Sequence, residues 1–174
     1  MITTPNEAYA FLIQLGASSR LISHLMLVGE AAEELIVFFN SIGLRFDANF
    51  VRLGVSIHDA GKIIHKNELV EKGNLHVPAG ERLLLKNGID TKLARICLSH
   101  ARFDEMDCSI EELIIALADK LWKGKRVDFL EKLVIEKITE SVQGDKWDLY
   151  IKLDSCFESI ALNGDNRLKK QFNS

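Results

Sequence analysis

Gly54-Val55-Ser56-Ile57-His58-Asp59-Ala60-Gly61-Lys62 sets a histidine and an aspartate side by side in an apolar run, with a lysine one helical turn further on. A His-Asp step alone carries little information. Its company carries more: His24 precedes it, His76 and His100 follow it, and Asp119 comes last. Four of the five histidines and two aspartates thus fall in the order His, His-Asp, His, His, Asp. Imidazoles and carboxylates are the donor types of a transition-metal site, here spread over several helices.

Outward from this stretch the apolar periodicity is helical, and no convincing alternation of apolar and polar residues marks a strand. Thr4-Pro5-Asn6-Glu7 reads as a capping box opening a first helix that ends near Gly16. A second helix runs from Ser18 or Ser19 to about Asn40, with Leu21, Leu25, Val28, Ala32, Leu35 and Phe39 as its apolar stripe. His24 falls about 60° off the centre of that stripe, with Arg20 one turn earlier on the same flank and Glu30 and Glu34 turned towards solvent. Asp47 caps a third helix, which delivers His58 and Asp59. On a helix these two diverge by about 100°, so they share one metal only at close range, or Asp59 bridges two. Gly54 suits close helix packing, and Gly61 suits a helix end or a close approach of backbone.

Residues 66–74 read as a polar loop with one helical turn at most, placed to act as a lid, and His65 beside it as a surface residue. His76 opens the next helix, which stops at Asn87-Gly88, and Asp90 caps a further helix running to His100. Ser109 and Glu112 form a second capping box, opening a helix to Trp122 that carries Asp119 near its apolar side. Two amphipathic helices follow at about 127–142 and 146–162, and the tail 163–174 reads as polar and frayed. The expected fold is all-α: one domain over 1–174 with about seven to nine helices and a motif-bearing core at about 18–126. The C-terminal helices either cover that core or form a homodimer contact.

The chain's 174 residues can bury a core without staples, and 47% apolar residues fit a soluble globular protein. A net charge of −3 argues against stable nucleic-acid binding. Cys97, Cys108 and Cys156 are scattered and odd in number, as free thiols of a reducing cytoplasm are. Residues 1–7 carry no secretory pattern, and no uncharged apolar run has the length of a membrane span.

Singly, each histidine is accounted for by a cap, a surface position or a core hydrogen bond, and Asp119 by a lysine or arginine partner. As an ordered set they resemble the HD-domain superfamily, all-helical metal-dependent phosphohydrolases named for the His-Asp step. The resemblance covers roughly Ser18 to Arg126 and rests on His24, on His58-Asp59 with Lys62, and on Ala118-Asp119-Lys120; His76 and His100 match the added histidines of the binuclear branches. Those branches include symmetrical diadenosine tetraphosphate hydrolases and cyclic-di-GMP phosphodiesterases. The step reads His-Asp-Ala-Gly-Lys where His-Asp-Ile-Gly-Lys is commoner. The glycine-tyrosine-proline element of the cyclic-di-GMP branch is missing.

The resemblance implies roles. His24, His58, Asp59 and Asp119 would hold one divalent transition metal (iron, manganese, cobalt, nickel or zinc). Asp59 would bridge to a second held by His76 and His100. Lys62 would act with Asp59 at the reaction centre and bind substrate phosphate, helped by Arg20 and by Arg126 or Lys125. The implied activity is hydrolysis of a phosphoester or phosphoanhydride in a small substrate, a nucleotide or nucleotide-derived signal, by metal-activated water. Two alternatives share the fold: a mixed-valent diiron oxygenase with the same six ligands, and a module that binds metal or nucleotide without turnover.

Overall fold

Thr4 accepts a hydrogen bond from the Glu7 N–H (3.3 Å) while the Glu7 carboxylate accepts from the Thr4 N–H (3.2 Å), so the first capping box is closed in both directions. In the computed structural model, which describes residues 2–172, this box opens α1 (Pro5–Gln14). Gly16, at a φ of 97°, turns the chain through the left-handed region that favours glycine, and Ser18 then caps α2 (Ser19–Ser41). The expected stripe of α2 is buried in full, and Leu27, Ala31 and Ile36 widen it. A face that broad serves a helix with neighbours on several sides, and α2 packs on α3 (Ala48–Ile57), α7 (Ile110–Leu121) and α9 (Lys146–Leu162).

Asp47 caps α3 by accepting from the Phe50 N–H at 2.9 Å. A Cβ at Gly54 would run into the Ile115 side chain, so this glycine sets how closely α3 approaches α7. The Ser109–Glu112 box opens α7, and every residue from Leu113 to Ala118 is buried. Each fully buried leucine or isoleucine there contributes about 1.5–3 kcal/mol, which makes α7 the central post of the core.

Between them lie α4 (His76–Lys86) and two single turns, α5 (Thr91–Ala94) and α6 (Ile96–Ser99). One continuous helix from Asp90 to His100 is therefore not what forms. The run breaks at Arg95, whose guanidinium donates to Glu112 (2.9 Å) and to the Asp107 carbonyl (2.8 Å). After α7 come α8 (Asp128–Ser141) and α9, which cover the core, Phe157 meeting Phe39 edge to face.

The tail departs from expectation. Residues 164–172 are not frayed but form α10 (Gly164–Phe172), packed on α2 and α9. Polar composition hid this, because α10 is held by ion pairs: Arg167 with Glu34, and Lys170 with Glu30 at 3.0 Å. Among the described residues there are no strands, and eight helices have nine residues or more. The three cysteines are unpaired, and no described helix is long and apolar enough to cross a membrane.

Candidate metal centre

The α3 helix stops at Ile57, with His58 as its C-terminal cap. Asp59 then leads a tight 3-10 turn, Ala60–Ile63. The pair does not diverge along a helix: the turn folds Asp59 back, its Oδ2 3.5 Å from His58 Nε2. The turn packs directly on the first turns of α4. A Cβ on Gly61 would strike the His76 carbonyl and the Gly80 nitrogen, and one on Gly80 would strike the Gly61 nitrogen and Cys97 Sγ. Two facing glycines thus let two backbones touch, which carries His76 Nε2 to within 3.1 Å of Asp59 Oδ1.

Two clusters result. His24, His58, Asp59 and Asp119 offer ligand atoms all within 4.8 Å of one another, and so do Asp59, His76 and His100. Asp59 belongs to both through different oxygens. Its Oδ2 lies 2.9 Å from His24 Nε2; its Oδ1 faces His76 and, at 3.6 Å, His100. Asp119 Oδ1 completes the first cluster, 3.4 Å from His58 and 4.0 Å from His24. All six residues are buried, the most exposed being His76 at 8%.

The donor set fits a metal, and hydrogen bonding shows why. Nδ1 of His58 donates to the Val55 carbonyl (2.9 Å), and Nδ1 of His100 to the Ile96 carbonyl (3.1 Å). A carbonyl can only accept, so Nδ1 carries the proton and Nε2 is left as a lone pair facing carboxylate oxygens. Nε2 of His24 and of His58 are buried without a hydrogen-bond partner, despite carboxylates at contact distance. Lone pairs turned towards buried carboxylates are costly unless a cation lies among them.

The ionisation states agree. Burial pushes Asp59 upward, but His58, the closely approaching His24 and His76 and the nearby Lys62 hold it well below the usual carboxylate range. Burial likewise opposes ionisation of Asp119, and Lys120 with His58 overcomes it. Burial lowers His24 despite Asp59, and takes His100 down to about 3 with help from the His58 charge. For His58 burial is outweighed by Asp59 and Asp119, so its pKa rises.

Glu68 was not among the expected site residues. Its carboxylate accepts from the Leu75 N–H (3.1 Å), the His76 N–H (3.0 Å) and His76 Nδ1 (2.5 Å). Burial raises its pKa, and these bonds outweigh that and lower it. Glu68 caps α4 from outside the helix and orients a candidate ligand in the same stroke. One clue was available: Leu75, at the N-cap, has no side-chain acceptor, so α4 needs one from elsewhere. Glu68→Gln is expected to weaken binding of the second metal about 10–100-fold and leave the first near wild type. Titration against a competing chelator measures this; equal affinities at both sites would remove Glu68 from the centre.

A cavity of about 510 Å³ opens above His24, bounded by Arg20, Lys62, Lys123, Trp122 and the 68–72 loop. Another of about 520 Å³, between Phe50, Lys92 and Lys137, holds none of the six clustered residues, so the ligand set rather than the volume marks the site. Arg20 stands at the cavity as expected. Arg126 does not: its guanidinium is taken up by Glu131 (2.7 Å twice) and Asp154 (2.6 Å), tying α8 to α9. Lys123, on the turn after α7, lines the cavity instead, and neither Lys125 nor His65 is part of its lining. Lys62 bonds Asp59 at 2.6 Å, and Lys120 bonds Asp119 at 2.6 Å.

A family model described as HD domain matches residues 21–122, the span from α2 to the end of α7. A curated relative, "Uncharacterized protein MJ0778" of Methanocaldococcus jannaschii, is 31% identical over 127 residues, which cover 64% of this chain and 72% of the relative. No solved structure matches the chain. The matched span encloses all six clustered residues and the turn that joins them, and on that match the chain belongs to the HD domain family.

Proposed function

We propose that this protein is a phosphohydrolase that cleaves a phosphoester or phosphoanhydride bond of a nucleotide or nucleotide-derived signal. The HD domain indicates a superfamily of metal-dependent hydrolases, which supports the hydrolytic part of the reading. The observation that carries it is Asp59, whose two carboxylate oxygens each face a separate histidine set beneath a cavity lined by cations. His24, His58, Asp59 and Asp119 would hold one divalent metal, and Asp59, His76 and His100 a second. When bound, such a pair supplies Lewis-acid charge and makes water a competent nucleophile near neutral pH.

The chain's own residues do the rest. Lys62 keeps one donor on Asp59 Oδ2 and has two more to offer phosphoryl oxygens, at the mouth of the ligand set. Arg20, on the same cavity wall as His24, adds a planar fork suited to phosphate. Trp122 packs edge-on against His24 (centroids 5.0 Å apart) and screens that imidazole from water.

Metal content per chain, measured on protein purified without chelator, together with phosphate release from a nucleotide panel, tests the reading. Two metals and phosphate release support it. Oxygen uptake with a polyol or phosphonate, and no phosphate from any nucleotide, would turn it towards the oxygenase. Lys62→Ala is expected to lower turnover about 10²–10³-fold with metal content near wild type, since it removes charge stabilisation and not a ligand. Loss of metal in that variant would make Lys62 a structural counterion of Asp59.

A further inference from the structure

Arg167 is 3% exposed in an otherwise polar segment. Its guanidinium reaches three elements at once. Nη1 donates to the Ile160 carbonyl in the last turn of α9 (2.8 Å) and to the carbonyl of Trp122, the C-terminal cap of α7 (3.4 Å). Nη2 donates to Glu34 on α2. The final carbonyls of a helix lack partners within it, and a cation there also meets the negative end of the dipole. One side chain therefore caps two helices and pairs with a third.

The start of α10 is pinned as firmly. A Cβ on Gly164 would strike the Lys123 carbonyl carbon and the Gly124 nitrogen, so α10 begins in backbone contact with the turn that carries Lys123. Lys170 continues the attachment to Glu30. Docked in this way, α10 places Leu168 and Gln171 in the lining of the cavity that holds His24 and Lys62. The residue whose carbonyl binds Arg167, Trp122, is the one whose ring rests on His24. All of α10 lies outside residues 21–122, the span that the HD domain model matches.

We propose that α10 is a selectivity wall of the metal cavity: Leu168 and Gln171 limit what reaches the centre, and Arg167 positions them. This rests on the cavity being the approach to a metal site, the same site used for the hydrolase reading, but not on which reaction occurs there. Arg167 is a positioning residue; it acts through Trp122 and α10.

The test uses the full chain loaded with manganese. Three quantities are measured: metal per chain, the rate at which EDTA extracts the metal, and the affinity for inorganic phosphate by calorimetry. Hydrogen exchange over 121–125 and 164–172 reports the docking. The double substitution Leu168→Ala/Gln171→Ala is expected to keep wild-type metal content and docking, and to speed extraction about tenfold by widening the entrance. Arg167→Ala should speed extraction similarly and also raise exchange in both segments. Arg167→Lys, which keeps the charge but loses the fork, should fall between it and wild type. Unchanged extraction in the double variant and in Arg167→Ala, with exchange raised in the latter, would show α10 to be a structural cover and overturn the proposal. Faster extraction combined with no phosphate affinity even in wild type would uphold the wall while removing support for the phosphohydrolase. A wild-type chain that takes up no metal overturns both.

Discussion

Asp59→Ala is expected to lose both metals and lower turnover by at least about 10³-fold, with the helical circular dichroism kept. Asp59 is the residue shared by both clusters, and its two oxygens lie 2.9 Å and 3.1 Å from histidines on different helices. Without it, Asp119 is the one anion left among the clustered residues, and His76 and His100 have no carboxylate in their set. Two neutral imidazoles alone are too few donors, with no anion among them, to hold a divalent ion tightly. The fold should survive. Stranding the charge of Lys62 costs about 3–5 kcal/mol, below the 5–15 kcal/mol typical of a domain's stability. Elemental analysis and circular dichroism on one preparation check both halves. Full turnover, or two metals retained, would falsify the bridging role.

Gly61→Ala should be the most damaging small substitution. The added methyl has ordinary backbone angles available, since Gly61 is not among the positive-φ glycines. Its cost is contact alone, and the atoms it meets are the His76 carbonyl and the Gly80 nitrogen, which cannot rotate aside. The turn and α4 must separate, taking His76 away from Asp59. A loss of about 3 kcal/mol is expected, the upper part of the range for overpacking. That corresponds to a fall of roughly 6–12 °C in Tm for a chain of this size. Metal content should fall by the share bound at the His76–His100 set. Gly54→Ala is the control: its nearest clash is Ile115 Cδ1, the end of a flexible side chain, and a smaller loss with full metal content is expected. A Gly61→Ala protein with wild-type Tm and metal content would show that the glycine seam does not set the centre.

These two residues divide what was legible early from what was not. The caps at Thr4, Asp47, Asp90 and Ser109 form where the sequence places them, because a capping bond closes within three residues. The stripe of α2 was equally plain, since burial of one helix face writes itself into periodicity. The ordered histidines and aspartates were legible as a ligand set because donor chemistry belongs to the residue and needs no neighbour to be recognised. How Asp59 divides its oxygens was not, for that follows from the contact between a 3-10 turn and α4. Glu68 is not legible because its partners lie across a turn of irregular backbone, and the ion pairs of Arg126 are not because Asp154 reaches it from 28 residues away. The α10 helix shows the limit most clearly. Local composition argues for fraying, and what overrides it is one buried guanidinium bonded to Glu34, Trp122 and Ile160. Local hydrogen bonds and donor chemistry can be read along the chain; the pairing of charges and backbones distant in sequence arises only when the helices close on one another.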